Sequence, residues 1–166
     1  MRRTSFENWP CSVARATDLL GDWWTPLVLR EAFYGTRRFE DFQSELGIAR
    51  ATLAERLRRL VELDIMARRV YQEQPLRHEY VLTEKGQDFF GVLMAMAAWG
   101  DRWLADASGP PVLFEHRSCG HHVHAEVVCD SCGEPLRSSD VRPRFGPGYP
   151  EEQAALPRAR RRYAGP

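Results

Sequence analysis

Between residues 36 and 82 the apolar positions follow a helical period twice and then give way to strands. Phe39, Phe42 and Leu46 recur at the spacing of one helix face, which predicts a short helix over 39–46. Leu53, Leu57 and Leu60 repeat that spacing and predict a longer helix over 50–63. The leucine stripe leaves Ala51, Glu55, Arg58 and Glu62 on the opposite side, flanked by Arg50, Arg56 and Arg59. Gly47-Ile48-Ala49 separates the two helices, and a glycine there stops the first helix and turns the chain sharply. Beyond residue 63 two strands are expected, over 66–71 and 77–82, joined by Gln72 to Leu76.

Two short helices joined by a tight turn form a helix-turn-helix, whose second helix fits the DNA major groove. The following hairpin then reads as a wing. A helical hairpin that merely packs is the alternative, and the arginines on the exposed side and in the hairpin weigh against it.

Upstream, residues 11–20 read as a helix, with Val13, Ala16, Leu19 and Leu20 available for one apolar side, broken at Gly21-Asp22. Thr25 suits an N-cap, Pro26 the first helical position and Gly35 the end of the next helix. Leu27, Val28, Leu29, Ala32 and Phe33 would form the floor under the DNA-binding pair, with Trp23 and Trp24 as core aromatics. Downstream, Thr83 caps a long helix expected over 84–107. Its middle, from Phe89 to Trp99, is apolar almost all round, which implies burial on several sides. In a chain this small a second copy supplies that burial most easily; an internal core helix is the alternative. Met94 and Met96 read as packing filler or as the lining of a ligand cavity.

Composition narrows the class. The chain has 166 residues, 43% hydrophobic and 28% charged, which suits one ordinary globular domain with a small appendage. Formal net charge is zero, so any nucleic-acid surface must be local. Residues 30–69 carry nine arginines against seven acids. Residues 1–9 show no apolar signal segment, and the apolar run over 89–100 is shorter than the roughly 20 residues a bilayer requires. The expectation is a cytoplasmic protein without membrane contact, its four cysteines reduced. No nucleophile triad, phosphate loop or paired carboxylate stands in a recognisable context, so catalysis is not expected.

Ser108-Gly-Pro-Pro marks a boundary. Beyond it one pattern occurs twice: His116-Arg-Ser-Cys119-Gly and Cys129-Asp-Ser-Cys132-Gly, flanking an alternating stretch, 121–128, expected to be a strand. Two ligands three positions apart on a tight turn can reach one tetrahedral ion. A minimal zinc ribbon follows, with structural zinc on His116, Cys119, Cys129 and Cys132; His121, His122 and His124 are competing ligands. A ribbon without metal, or one keeping its thiols for redox work, is the alternative. From residue 146 Pro, Gly, Ala and Arg dominate, and Pro157 to Arg162 reads as a solvated disordered tail or a phosphate contact.

The order Cys11-Ser-Val-Ala-Arg-Ala, Gly21-Asp-Trp-Trp-Thr, Leu29-Arg-Glu, Gly35-Thr-Arg-Arg-Phe and Leu53-Ala-Glu-Arg-Leu-Arg-Arg-Leu resembles the HxlR-type winged helix-turn-helix regulators. Arg77-His-Glu-Tyr-Val-Leu-Thr, Lys85-Gly and Ala98-Trp-Gly extend the resemblance across residues 11–103. It implies a dimeric bacterial transcription factor on an inverted-repeat operator, dimerised through the long helix and the helix after Cys11. Three positions depart from the family pattern: Ala49 replaces a capping side chain, Asp64 a glycine and Trp23 a charged residue. Some HxlR-type regulators sense oxidants at a cysteine in the Cys11 position, where the helix dipole favours the thiolate.

The combined expectation is a mainly α chain with a small β wing: a winged helix-turn-helix and dimerisation domain over 1–107, a zinc-ribbon-like appendage over 108–145 and a tail over 146–166. Double-stranded DNA is the expected partner. Arg58 is a candidate for guanine, Glu55 for a cytosine amine, and Ala51 and Ala54, beside Thr52, allow close approach to the groove. Arg37, Arg38, Arg50 and Arg77 are candidates for phosphate or minor-groove contact. Redox sensing through Cys11, and a protein-interaction module that no longer binds DNA, are the other readings.

Overall fold

The computed structural model describes residues 5–157 together with 159 and 163. The chain forms two compact units, Leu19–Ala125 and the pair of segments Met1–Asp18 with Glu126–Pro166. Residues 108–125, expected with the appendage, therefore group with the winged helix. Among the described residues no helix is long and apolar enough to cross a membrane.

The larger unit is built on α2 (Trp24–Phe33), α3 (Phe39–Leu46), α4 (Arg50–Glu62) and a two-stranded antiparallel sheet of β1 (Met66–Gln72) and β2 (Arg77–Leu82). The strands pair Met66 with Leu82 through Val70 with His78, and a bulge then shifts the register to Gln72 with Arg77. Val28 and Leu29 of α2, Phe42 of α3, and Leu53, Leu57 and Leu60 of α4 share one core with Ile48, Ile65 and Met66. The leucine stripe is thus the inner face of α4, as its spacing requires.

Four expectations need correction. The cap of α2 is Asp22 and not Thr25: Asp22 Oδ1 accepts from the backbone N–H groups of Trp24 at 2.7 Å and Thr25 at 3.2 Å, while Thr25 is buried. A carboxylate two residues ahead of the helix reaches these amides better than a hydroxyl already inside it. Trp23 is no core residue, being 90% exposed, whereas Trp24 packs against the core. The long helix divides at Phe89 into α5 (Glu84–Asp88) and α6 (Phe90–Leu104), and of α6 only Met94 is buried. Finally, the stretch 121–128 is not one strand: it pairs at β4 (His122–Val123) with the two residues of β3 (Phe114–Glu115), and beyond that Val128 forms an isolated bridge with Pro135.

In the smaller unit, α1 (Ser12–Leu20) begins one residue after Cys11 and leaves Val13 exposed. Leu19, at its other end, belongs to the larger unit and packs against the core there. The tail expected to lack structure carries α7 (Glu151–Ala154), and the rings of Phe145, Tyr149 and Tyr163 lie 4.8–5.5 Å apart. Three aromatics supply enough apolar surface to draw this Pro- and Gly-rich stretch together. The arginines at 158 and 160–162 lie outside the described residues.

Candidate nucleic-acid interface

The turn between α3 and α4 is held from both sides. Gly47 ends α3 in the left-handed region, φ 59°, where a side chain would be strained. Ile48 is buried in the core, so the turn cannot swing away. Ala49 precedes α4 in extended conformation with no side-chain cap, as its lack of a polar group dictates. At the far end, Asp64 takes φ 55° and is the one non-glycine with positive φ among the described residues.

With the leucines inward, α4 presents Ala51, Ala54, Glu55, Arg58 and Glu62 to solvent along one side, with Arg50 exposed at its start and Thr52 half-buried. Arg58 reaches along this face to an ion pair with Glu62, both well exposed. Exposed pairs of this spacing contribute only about 0.3–0.5 kcal/mol, while a bidentate guanine contact discriminates by about 1–3 kcal/mol. Glu62 therefore orients Arg58 without preventing it from reaching a base.

Arg56 does the reverse of what its sequence position suggested. It is 16% exposed and forms an ion pair with Asp22, turned back into the protein and away from the face. Asp22 thus serves two elements, capping α2 with one oxygen and holding α4 with the other. Sequence reasoning missed it, although an aspartate just before a helical run is a recognised start signal.

The remaining cations surround the reading face. The Arg38 guanidinium lies 4.7 Å from the centre of the Tyr71 ring on β1, and the Arg37 carbonyl accepts from the Tyr80 N–H on β2 at 2.8 Å. Arg50 lies 4.7 Å from the ring of Phe39, the first residue of α3. These contacts join the starts of α3 and α4 to the wing in one basic surface. Arg77 stands exposed at the turn end of β2, opposite Gln72. On β1, Arg69 is neutralised by Glu79 at 2.7 Å, whereas Arg68 lies 3.1 Å from His78 Nδ1 and forms no ion pair among the described residues. Arg68 is a further candidate that alternation along the strand alone did not single out.

The two cysteine turns are alike, each by itself. In one, Cys119 and Gly120 donate to the His116 carbonyl at 3.1 and 2.7 Å, and His116 Nδ1 lies 3.3 Å from Cys119 Sγ. In the other, Gly133 donates to the Cys129 carbonyl at 2.8 Å. Gly120 and Gly133 both take positive φ, 71° and 78°. Backbone N–H groups of Cys132 and then Ser131 hold the Cys129 thiol below its ordinary value of 9.0. Each turn has the donor chemistry of half a zinc site, but among the described residues no three His, Cys, Asp or Glu side chains gather where a metal could be held.

The profile of the HxlR-like helix-turn-helix family matches residues 19–108. An uncharacterised HTH-type transcriptional regulator of Mycobacterium tuberculosis, MT3179, is 45% identical over 144 residues, 87% of this chain and 91% of the relative. An alignment of that length necessarily runs past residue 108, so part of the appendage is shared. The crystal structure of PA1607, described as a candidate transcription factor, superposes with a TM-score of 0.75 at 38% identity over 84% of this chain and 97% of that one. The reduced form of the transcriptional regulator YodB from Bacillus subtilis gives 0.51 at 34% identity over 58% of this chain and 98% of its own. With the turn, the reading helix and the basic surround in place, the chain belongs to the HxlR-like helix-turn-helix family of transcriptional regulators, which are DNA-binding proteins and not enzymes.

Proposed function

We propose that the protein acts in the cytoplasm as a homodimer on an inverted-repeat operator, with α4 in the major groove and the wing on the flanking backbone. The observation that carries this reading is the arginine surface around α4, in which Arg38 and Arg50 rest on Tyr71 and Phe39 beside an exposed Arg58. Held in this way, the guanidiniums fix the protein to phosphates while Arg58 and Glu55 read base edges. Dimerisation is supported by an exposed apolar stripe on α6, Val92, Met96, Trp99 and Trp103, each 45–62% exposed. Sequencing the chromosomal fragments that co-purify with the protein tests the reading: a two-fold symmetric motif supports it, and fragments without a shared motif contradict it.

Redox sensing through Cys11 is the second reading. Cys11 is half-buried immediately before α1, and its carbonyl accepts from the Arg15 N–H at 3.1 Å, in the first helical turn. A relative, YodB, has been described in a reduced form. If Cys11 reports oxidants, Cys11→Ser binds operator normally and ignores diamide; equal release of both proteins removes the idea.

Structural zinc on His116, Cys119, Cys129 and Cys132 is retained as a proposal on the likeness of the two glycine-ended turns. Metal analysis of untagged protein tests it: one equivalent per chain is expected, and zinc far below that, with all thiols free, opposes it.

A further inference from the structure

α6 has two apolar sides, and the exposed stripe uses only one. At 100° per residue, Val92, Met96, Trp99 and Trp103 fall within roughly 60° of arc. Phe90, Leu93, Met94 and Ala97 occupy the opposite side, where they face α2. There Pro26, Leu27 and Phe33 complete a groove enclosing about 230 Å³, with the rings of Phe33 and Phe90 5.2 Å apart. Of the stripe residues, Met96 alone also lines this groove.

The walls define the ligand. Arg30 is the only charged side chain among them, and its guanidinium is occupied by Glu31 Oε1, at 2.9 and 2.5 Å. Glu31 is 7% exposed, so that carboxylate is fixed, and an anion in the groove meets a guanidinium already paired with it. A cavity of about 150 Å³ lined by Leu, Ile and Phe takes up benzene, and drug-sized ligands need about 300 Å³ or more. We propose that the groove between α2 and α6 binds an uncharged aromatic molecule of one or two fused rings.

Binding there reaches the DNA face through α2. Leu27 and Phe33 line the groove, while Val28, Leu29 and Ala32 on the other side of the same helix pack in the core with Leu53 and Leu57 of α4. Close-packed interiors transmit such displacements rather than absorbing them. A ligand that spreads α2 from α6 therefore changes how α4 is presented. This last step rests on the regulator reading; the binding itself does not.

The test uses the full chain without DNA and 2-naphthol as probe at neutral pH. Calorimetry is expected to give saturable binding, one molecule per chain, with 2-naphthoate at least ~10-fold weaker because the one guanidinium in the lining is already paired with Glu31. Filling the groove from either wall, by Ala97→Leu or Leu27→Phe, is expected to weaken binding ~10-fold or more in variants that still melt cooperatively. Methionine-methyl NMR locates the site independently of any variant: Met94, in the groove wall, shifts on titration by much more than Met66, which lies in the core outside it. No saturable binding, unaltered binding by a folded variant, or a titration that leaves Met94 unmoved overturns the proposal. Release of operator by 2-naphthol is a separate assay, and its failure alone would count against the coupling and the regulator reading, not the site.

Discussion

Arg56 and Arg58 stand two positions apart on α4 and do opposite work. Arg56 lies only about 65° round the helix from the middle of the leucine stripe and Arg58 about 130°, so one turns inward and the other outward. The exposure of Arg58 was legible, whereas Arg56 was expected to flank the exposed strip. Its partner Asp22, just ahead of α2, could not be read, because ion pairs between distant segments leave no periodic trace. Removing that partner is costly: Asp22→Ala loses the α2 cap and strands a mostly buried guanidinium, together about 2 kcal/mol. Asp22→Asn keeps a capping oxygen and is expected to lose less; urea unfolding separates the two. On the exposed side, Arg58→Ala leaves stability unchanged within about 0.5 kcal/mol, since it sacrifices only an exposed pair.

At the scale of elements, the join between α4 and β1 is fastened by the start of α5. Thr83 Oγ1 donates to the Asp64 carbonyl at 2.7 Å and accepts from Gly86 N–H at 3.1 Å. Lys85 Nζ donates to the Leu63 carbonyl at 2.7 Å. A Cβ on Gly86 would sit 2.1 Å from the Ile65 carbonyl oxygen, and backbone cannot give way as a side chain can. Gly86→Ala is therefore expected to cost about 3 kcal/mol or more. Asp64→Gly should instead gain up to about 1 kcal/mol, because glycine accepts φ 55° without strain. Thermal melts of the pair check both signs. The sequence announced the Thr83 cap, which follows from local chemistry, whereas at Asp64 the only signal was the glycine that the family pattern has there. The break at Phe89 was hidden, as apolar periodicity continues straight through it.

For the whole molecule, the winged helix was readable because one leucine stripe and one glycine turn determine it. Less was readable where two segments must meet: β4 is short for want of a longer β3, and the ring cluster of Phe145, Tyr149 and Tyr163 joins residues separated by Pro and Gly. The α6 stripe carries a prediction at this scale. Trp99→Glu should shift the protein toward monomer in sedimentation and weaken operator binding with it; a variant that stays dimeric places the interface elsewhere. The central claim is that α4 reads bases while the arginines around it hold phosphates. Base-resolved affinity, measured across every single substitution of the recovered operator and over a range of salt, tests this most directly. Arg58→Ala is predicted to lose about 1–3 kcal/mol and its discrimination at one base pair per half-site, whereas Arg77→Ala weakens all sequences alike and flattens the salt slope. If the two variants weaken every sequence equally, Arg58 is a phosphate contact and α4 does not read the groove as described.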